Sequence, residues 1–176
     1  MNLIRDFTGP RQAQAIRDVL ESLLIAELIR PSSTLWLLSA WITDVEILDN
    51  RTRAFTALYP DWPSSPIRLS KVIEALIDRG GRVAVVVRQV DHNIDFLQRL
   101  AKLQSTAEGR LGIASAPDAH EKGLIGDDFV LTGSMNFTRH GMNVNDEHVV
   151  LRADPAAAAS RRVALHQRWD SVLQWA

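Results

Sequence analysis

The chain has 176 residues, no Cys, and 20 Lys and Arg against 21 Asp and Glu, for a net charge of −1. That length supports one domain spanning residues 1–176 with a core of its own, and the missing Cys exclude disulfide staples and thiol chemistry. The near-zero charge argues against a basic, sequence-blind nucleic-acid coat, but it leaves room for a local cationic pocket.

Residues 1–9 mix charged and apolar side chains without an uninterrupted apolar run, so they read as an irregular lead and not as a secretory leader. No run is long enough to span a bilayer, and the expectation is a cytoplasmic protein with no membrane partner. From Pro10 onward Ile16, Val19, Leu20, Leu23, Leu24 and Leu28 recur at helical spacing as far as Pro31. This predicts an amphipathic helix with Asp18, Glu21 and Glu27 on its polar face. Residues 35–43, LWLLSAWIT, form a nearly continuous apolar run that reads as a buried strand, with Trp36 and Trp41 expected in the core. Over 45–67 the pattern breaks, and the cluster YPDWPSSP predicts a long, substrate-facing loop. Tyr59 and Trp62 in that loop either pin it to the body, the favoured reading, or stack on a base or ring.

Ser70 suits the N-cap of a helix that runs to Arg79 and ends at Gly80-Gly81. A Val-rich strand follows over 82–88. Asp91 or Asn93 opens a helix that buries Phe96, Leu97, Leu100, Ala101 and Leu103, and 111–114 is a further short strand. The alternation predicts an α/β fold, a mixed β-sheet flanked by helices through right-handed crossovers.

The stretch from His120 to Asn136 reads HEKGLIGDDFVLTGSMN. Period-2 alternation sends His120 and Lys122 to one face of an extended segment and Glu121 to the other. Asp127 and Asp128 suit a tight turn, and the returning strand 129–132 delivers Ser134 and Asn136 beside the first pair. An imidazole, an ammonium and neutral donors at one place suit a phosphate. The zinc motif H-E-x-x-H fails because position 124 is Leu, and neither a metal nor a cofactor is expected. Arg139, His140 and Gly141 then fall in a loop, with His140 a weak candidate for substrate contact, and 147–151 reads as a strand. Asp154-Pro155 caps a terminal helix to about residue 175, with Arg161, Arg162 and Arg168 on a solvated face.

His120, Lys122, Asp127, Gly133, Ser134 and Asn136 resemble the signature of the phospholipase D superfamily: HxK, four residues, Asp, about six residues, GSxN. The interval between Asp127 and Gly133 holds five residues, one fewer than the usual pattern. The resemblance implies a phospholipase-D-like sandwich and a catalytic set of His120, Lys122, Ser134, Asn136 and Glu147. Asp127, the sixth member of the set, is assigned to structure at the turn. Glu147 matches the acid that holds the nucleophilic His in related sequences, and Trp41 and Asp44 fall where the first strand ends near the cleft. Members with a single array act as homodimers, which implies that two copies of His120 share one site. The short single-array members include nucleases, which implies nucleic acid, and DNA in particular, as substrate. The stretches LWLLSAWITDVEILDNR and HEKGLIGDDFVLTGSMNFT also resemble the phospholipase-D-like component of bacterial 7-deazaguanine DNA-modification systems. That likeness implies an accessory of DNA modification or restriction, with other proteins of such a system as partners. A phospholipase is the third reading, because the acidic N-terminal helix suits anionic membranes poorly.

Overall fold

The structure, a computed structural model, describes residues 3–8, 12–143 and 147–175. In chain order its elements are β1 (Leu3–Thr8), α1 (Ala13–Ile29), β2 (Leu35–Ser39), β3 (Glu46–Asp49), β4 (Pro66–Arg68), α2 (Leu69–Asp78), β5 (Val83–Arg88), α3 (Ile94–Gln104), β6 (Leu111–Ala116), β7 (Gly123–Ile125), β8 (Phe129–Gly133), α4 (Arg139–Asn143), β9 (His148–Ala153), α5 (Pro155–Trp169) and β10 (Gln174–Trp175). All five residues of β2 are buried, as a strand without a polar face requires, and β2 lies inside an eight-stranded sheet of order β1-β9-β8-β7-β2-β5-β6-β10. β2, β5 and β6 run parallel, while β7, β8, β9 and β1 continue from β2 as antiparallel neighbours.

Alternation along the strands divides the core between two faces. Leu35, Leu37, Val83, Val85, Val87 and Leu124 pack with the apolar stripes of α1, α2 and α3. Trp36, Leu38, Ala84, Val86 and Ile125 pack with Leu165 and Trp169 of α5 on the other side. The α/β reading with helices on both faces of a mixed sheet holds.

Several local expectations give way to tertiary contacts. The lead of residues 1–9 contains β1, which pairs with β9 from Leu3↔Ala153 to Thr8↔His148. Pro10, expected near the helix start, lies outside the described residues. Glu27 leaves the polar face of α1 and is buried, its carboxylate accepting from Ser32 N at 2.8 Å and Ser32 Oγ at 2.7 Å. Burial pushes that carboxyl above its usual range, against those two hydrogen bonds. The 45–67 loop is framed by a β3–β4 hairpin. Ser70 does not cap α2: the helix starts at Leu69, and Asp44 accepts from Ser70 N and Oγ, both at 2.9 Å. The terminal helix stops at Trp169, and residues 174–175 pair with β6.

Of the expected solvated face, Arg168 is exposed while Arg161 and Arg162 are half-buried, and all three are ion-paired. Arg161 and Arg168 hold Glu121, Arg168 also meets Asp118 at 3.2 Å, and Arg162 pairs with Asp127 and donates to Ser33 Oγ at 2.9 Å. The start of α5 is as the sequence predicts, with Pro155 in the first turn and Asp154 accepting from Ala156 N at 3.0 Å and Ala157 N at 3.2 Å. These bonds, that from Ala157 foremost, hold the Asp154 carboxyl below its usual range. Its stabilising effect is therefore present above the ordinary carboxylate pKa and lost as pH falls through the lowered one. Asp154→Ala is expected to lower the melting temperature at neutral pH, with the difference from the parent closing in acid; thermal unfolding followed by circular dichroism from pH 7 to 2 checks this.

Candidate active site

The C-terminal ends of parallel strands leave backbone groups without ladder partners, and here two buried side chains occupy them. Asn93 accepts from Ile42 N at 2.8 Å through Oδ1 and donates through Nδ2 to the carbonyls of Ala40 at 2.9 Å and Arg88 at 2.8 Å. Ser39 Oγ donates to the Trp41 carbonyl at 2.6 Å and accepts from Phe137 N at 3.0 Å. Together they fix the exits of β2 and β5 and the segment after β8. Neither Asn93 nor Ser39 carries a motif, so sequence reasoning assigned them no such part.

On this base sit the motif residues. Lys122 precedes β7, whose Gly123 pairs with Leu38 of β2. Its Nζ donates to the His120 carbonyl at 2.8 Å and lies 3.3 Å from His120 Nδ1. An ammonium has no acceptor, so this contact is a hydrogen bond only where Nδ1 carries no proton. Trp41 flanks both, its ring edge-on to His120 at 6.3 Å between centroids and 5.9 Å from Lys122 Nζ. Expected in the core, Trp41 is instead 38% exposed and stands at the site, because β2 has already ended at Ser39.

Ser134 and Asn136 arrive from the other side. At Gly133 a Cβ would meet the His148 carbonyl oxygen at 2.0 Å, so only glycine lets β8 approach β9 this closely. Ser134 then donates to the Glu147 carboxylate and accepts from His148 N at 3.0 Å. Asn136 Oδ1 accepts from Trp41 N at 3.1 Å. Arg139, His140 and Gly141, read as loop, belong to α4, and Gly141 lies against Asn136, where a Cβ would come within 2.4 Å of its carbonyl oxygen. Gly141 thus seats Asn136, a contact between chain neighbours that composition alone did not mark. His140 is exposed on α4, four residues beyond Asn136.

Glu147 is buried and its charge acts on Lys122, whose ammonium stands at His120 Nδ1. Asp127 lies at the other end of the hairpin, where it accepts from Ser33 N at 2.9 Å and Ser33 Oγ at 2.8 Å and pairs with Arg162. Of the expected set, His120, Lys122, Ser134, Asn136, Glu147 and Trp41 come together, and Asp127 secures the turn.

Tyr59 and Trp62 do not face the site. Trp62 is 4% exposed, packed edge-on to Phe55 and beside Tyr59. Tyr59 donates to Asp78 at 2.5 Å, which pushes its phenol up to about 12. Asp78 ends α2 next to the start of β5, so the aromatic pair sits at the opposite end of the sheet. Asp44, capping α2, does line an open cleft of about 760 Å³ beyond Ile42 and Thr43, with Arg17, Arg68, Arg99 and His92.

Burial lowers the Lys122 pKa from 10.5, and Arg88 lowers it further against the opposing charge of Glu147. A lysine that must be charged to hold an anion fails as pH rises through its own pKa. The alkaline limb of any Lys122-dependent activity should therefore fall below 10.5, and Lys122→Arg, which keeps its charge, should move that limb up; a pH–rate profile of the two proteins is the check.

The family model described as "Cardiolipin synthase, PLD-like domain" matches residues 24–169. Nuc from Salmonella typhimurium, described as a phospholipase D family member, superposes with a TM-score of 0.65 at 17% identity, covering 100% of this chain and 99% of that one. NucT from Helicobacter pylori gives 0.64 at 13% identity, with 100% of both chains covered. Phosphatidylserine synthase from Haemophilus influenzae Rd KW20 gives 0.65 at 15% identity, with 100% of this chain but 40% of that one covered. No curated protein sequence matches significantly. These likenesses establish the fold, and no helix among the described residues is long and apolar enough to cross a membrane.

Proposed function

The chain belongs to the phospholipase-D-like family, and from that premise we propose that it is a phosphodiesterase that cleaves nucleic acid, DNA foremost, without a metal ion. The observation that carries the reading is the convergence of His120, Lys122, Ser134, Asn136 and Glu147 at one end of the central strands. A phosphate placed there meets one cation and neutral donors, the set that stabilises charge on non-bridging oxygens.

The proposed reaction needs two histidines in opposite protonation states, and the array supplies one, so two copies form a two-fold dimer around a shared site. His120 Nε2 attacks phosphorus, forming the N–P bond as the P–O bond to the leaving group breaks. The partner subunit's His120 gives that oxygen its proton, then takes one from water, whose oxygen displaces the phosphohistidine. Attack through Nε2 requires the ring proton on Nδ1. An incoming phosphate draws the Lys122 ammonium onto its oxygens and so releases Nδ1 for that proton, with Glu147 nearby to favour the charged ring.

The His120–Lys122 contact also favours a second reading, because the Lys122 ammonium stands at Nδ1, the position that must carry the ring proton for Nε2 to attack. In that reading the chain is a weakly active or non-catalytic DNA-binding accessory of a DNA-modification or restriction system, and binding of partner proteins switches the site. Phospholipid is the third substrate class, carried by the family description and opposed by Asp18 and Glu21 on α1.

With excess EDTA, the parent is expected to cut single- or double-stranded DNA, and His120→Ala to lose on the order of a thousandfold. Sedimentation at the assay concentration should find a dimer. Cutting that survives His120→Ala removes the nucleophile assignment; silence of the parent on DNA, with turnover of phospholipid vesicles, replaces nucleic acid by lipid.

A further inference from the structure

Among the described residues four arginines are half-buried: Arg88, Arg110, Arg161 and Arg162. Three of them face a carboxylate, namely Glu108, Glu121 and Asp127 respectively. Arg88 has no hydrogen-bond or ion-pair partner for its side chain among the described residues, and the group it acts on is another cation, Lys122. A guanidinium without a protein acceptor keeps its fork of donors open to an incoming anion.

Its place is well fixed. Arg88 ends β5, with Ala116 of β6 as its cross-strand neighbour, and its carbonyl is held by Asn93 Nδ2 at 2.8 Å. In the register that pairs Ser39 with Val87, Arg88 stands one residue beyond Ser39, level with the Ala40–Trp41 exit. Lys122 stands at the same exit on the other flank of β2, before the Gly123↔Leu38 pair. The strands β7 and β5 lie two spacings apart, roughly 10 Å. The two also leave the sheet differently, since Arg88 continues the α5-facing series Ala84 and Val86, while Lys122 shares the face of Leu124. They therefore flank the exit of β2 instead of converging on a single phosphate.

We propose that Arg88 binds the phosphate next to the scissile one, giving the site a second anion subsite that suits a polynucleotide, whose phosphates repeat along one strand. The inference rests on the nucleic-acid reading above. Arg88 is a binding residue for the flanking phosphodiester, and Lys122 serves the scissile one. A guanidinium suits this task because its fork of donors grips two oxygens at once.

Two measurements test it. In the His120→Ala background, a fluorescent single-stranded oligonucleotide is titrated by anisotropy over a salt series, with and without Arg88→Gln. Loss of one phosphate contact should flatten the slope of log K against log salt by about 0.7, and Arg88→Lys should restore most of it. With His120 intact, Arg88→Gln should lower kcat/KM for the oligonucleotide about tenfold and leave bis(p-nitrophenyl) phosphate, a single phosphodiester, nearly unchanged. Equal losses on both substrates, an unchanged salt slope, or no oligonucleotide binding at all would each overturn the proposal. A parent that binds but cuts neither substrate sinks the phosphodiesterase reading alone, and the salt slope still decides Arg88.

Discussion

The pairing of one helix with one hairpin is the constraint on which the site depends. The segment from His120 to Gly133 runs out through β7 and back through β8, and α5 packs along both strands on the face away from α1, α2 and α3. Near the histidine Arg161 and Arg168 hold Glu121, and at the turn Arg162 holds Asp127. Half-exposed ion pairs contribute at most about 1 kcal/mol each, so their consequence is more geometric than energetic. Glu121 lies between His120 and Lys122, and tying it to α5 turns its two neighbours to the opposite face.

The turn end of the hairpin is anchored a second time. Ser32 Oγ donates to buried Glu27 and accepts from Asp127 N at 2.8 Å, and Ser33 donates to the Asp127 carboxylate through both N and Oγ. The end of α1, the approach to β2 and the β7–β8 turn thus share one polar cluster. A cluster with Glu27 and Ser32 buried at its centre specifies register, because a slip by one residue leaves several of these groups unpaired. Register fixed at the turn is position fixed at the catalytic edge, three strand residues away.

Those parts of the site set by short-range chemistry were legible in the sequence. His120 and Lys122 follow from strand alternation, Ser134 and Asn136 from the tight return, and the cap at Asp154 from side chains that bond to the next turn of backbone. Contacts between distant segments were not. Asn93, a plain helix-start residue by local rules, is the buried donor and acceptor for three backbone groups at the exits of β2 and β5. The arginines of α5 look solvated because nothing nearby in the chain shows the acids they meet. Trp41 was placed in the core because an apolar run does not reveal where its ladder stops. Tyr59 and Trp62 pin their long loop to the body, as the favoured reading expects, and what the sequence did not show is the place, the far end of α2.

The strand β1 has a practical consequence. It covers the outer edge of β9, with Thr8 opposite His148, and His148 Nε2 lies 3.1 Å from Asp6 Oδ1. His148 follows Glu147 and its backbone receives Ser134. Trimming the first eight residues as a dispensable tail would strip a flank from the strand that follows the Glu147 carboxylate and holds Ser134 through the His148 backbone. A shortened protein without activity would then report a frayed sheet edge, and deletion mapping would assign a chemical role to residues that serve as a brace.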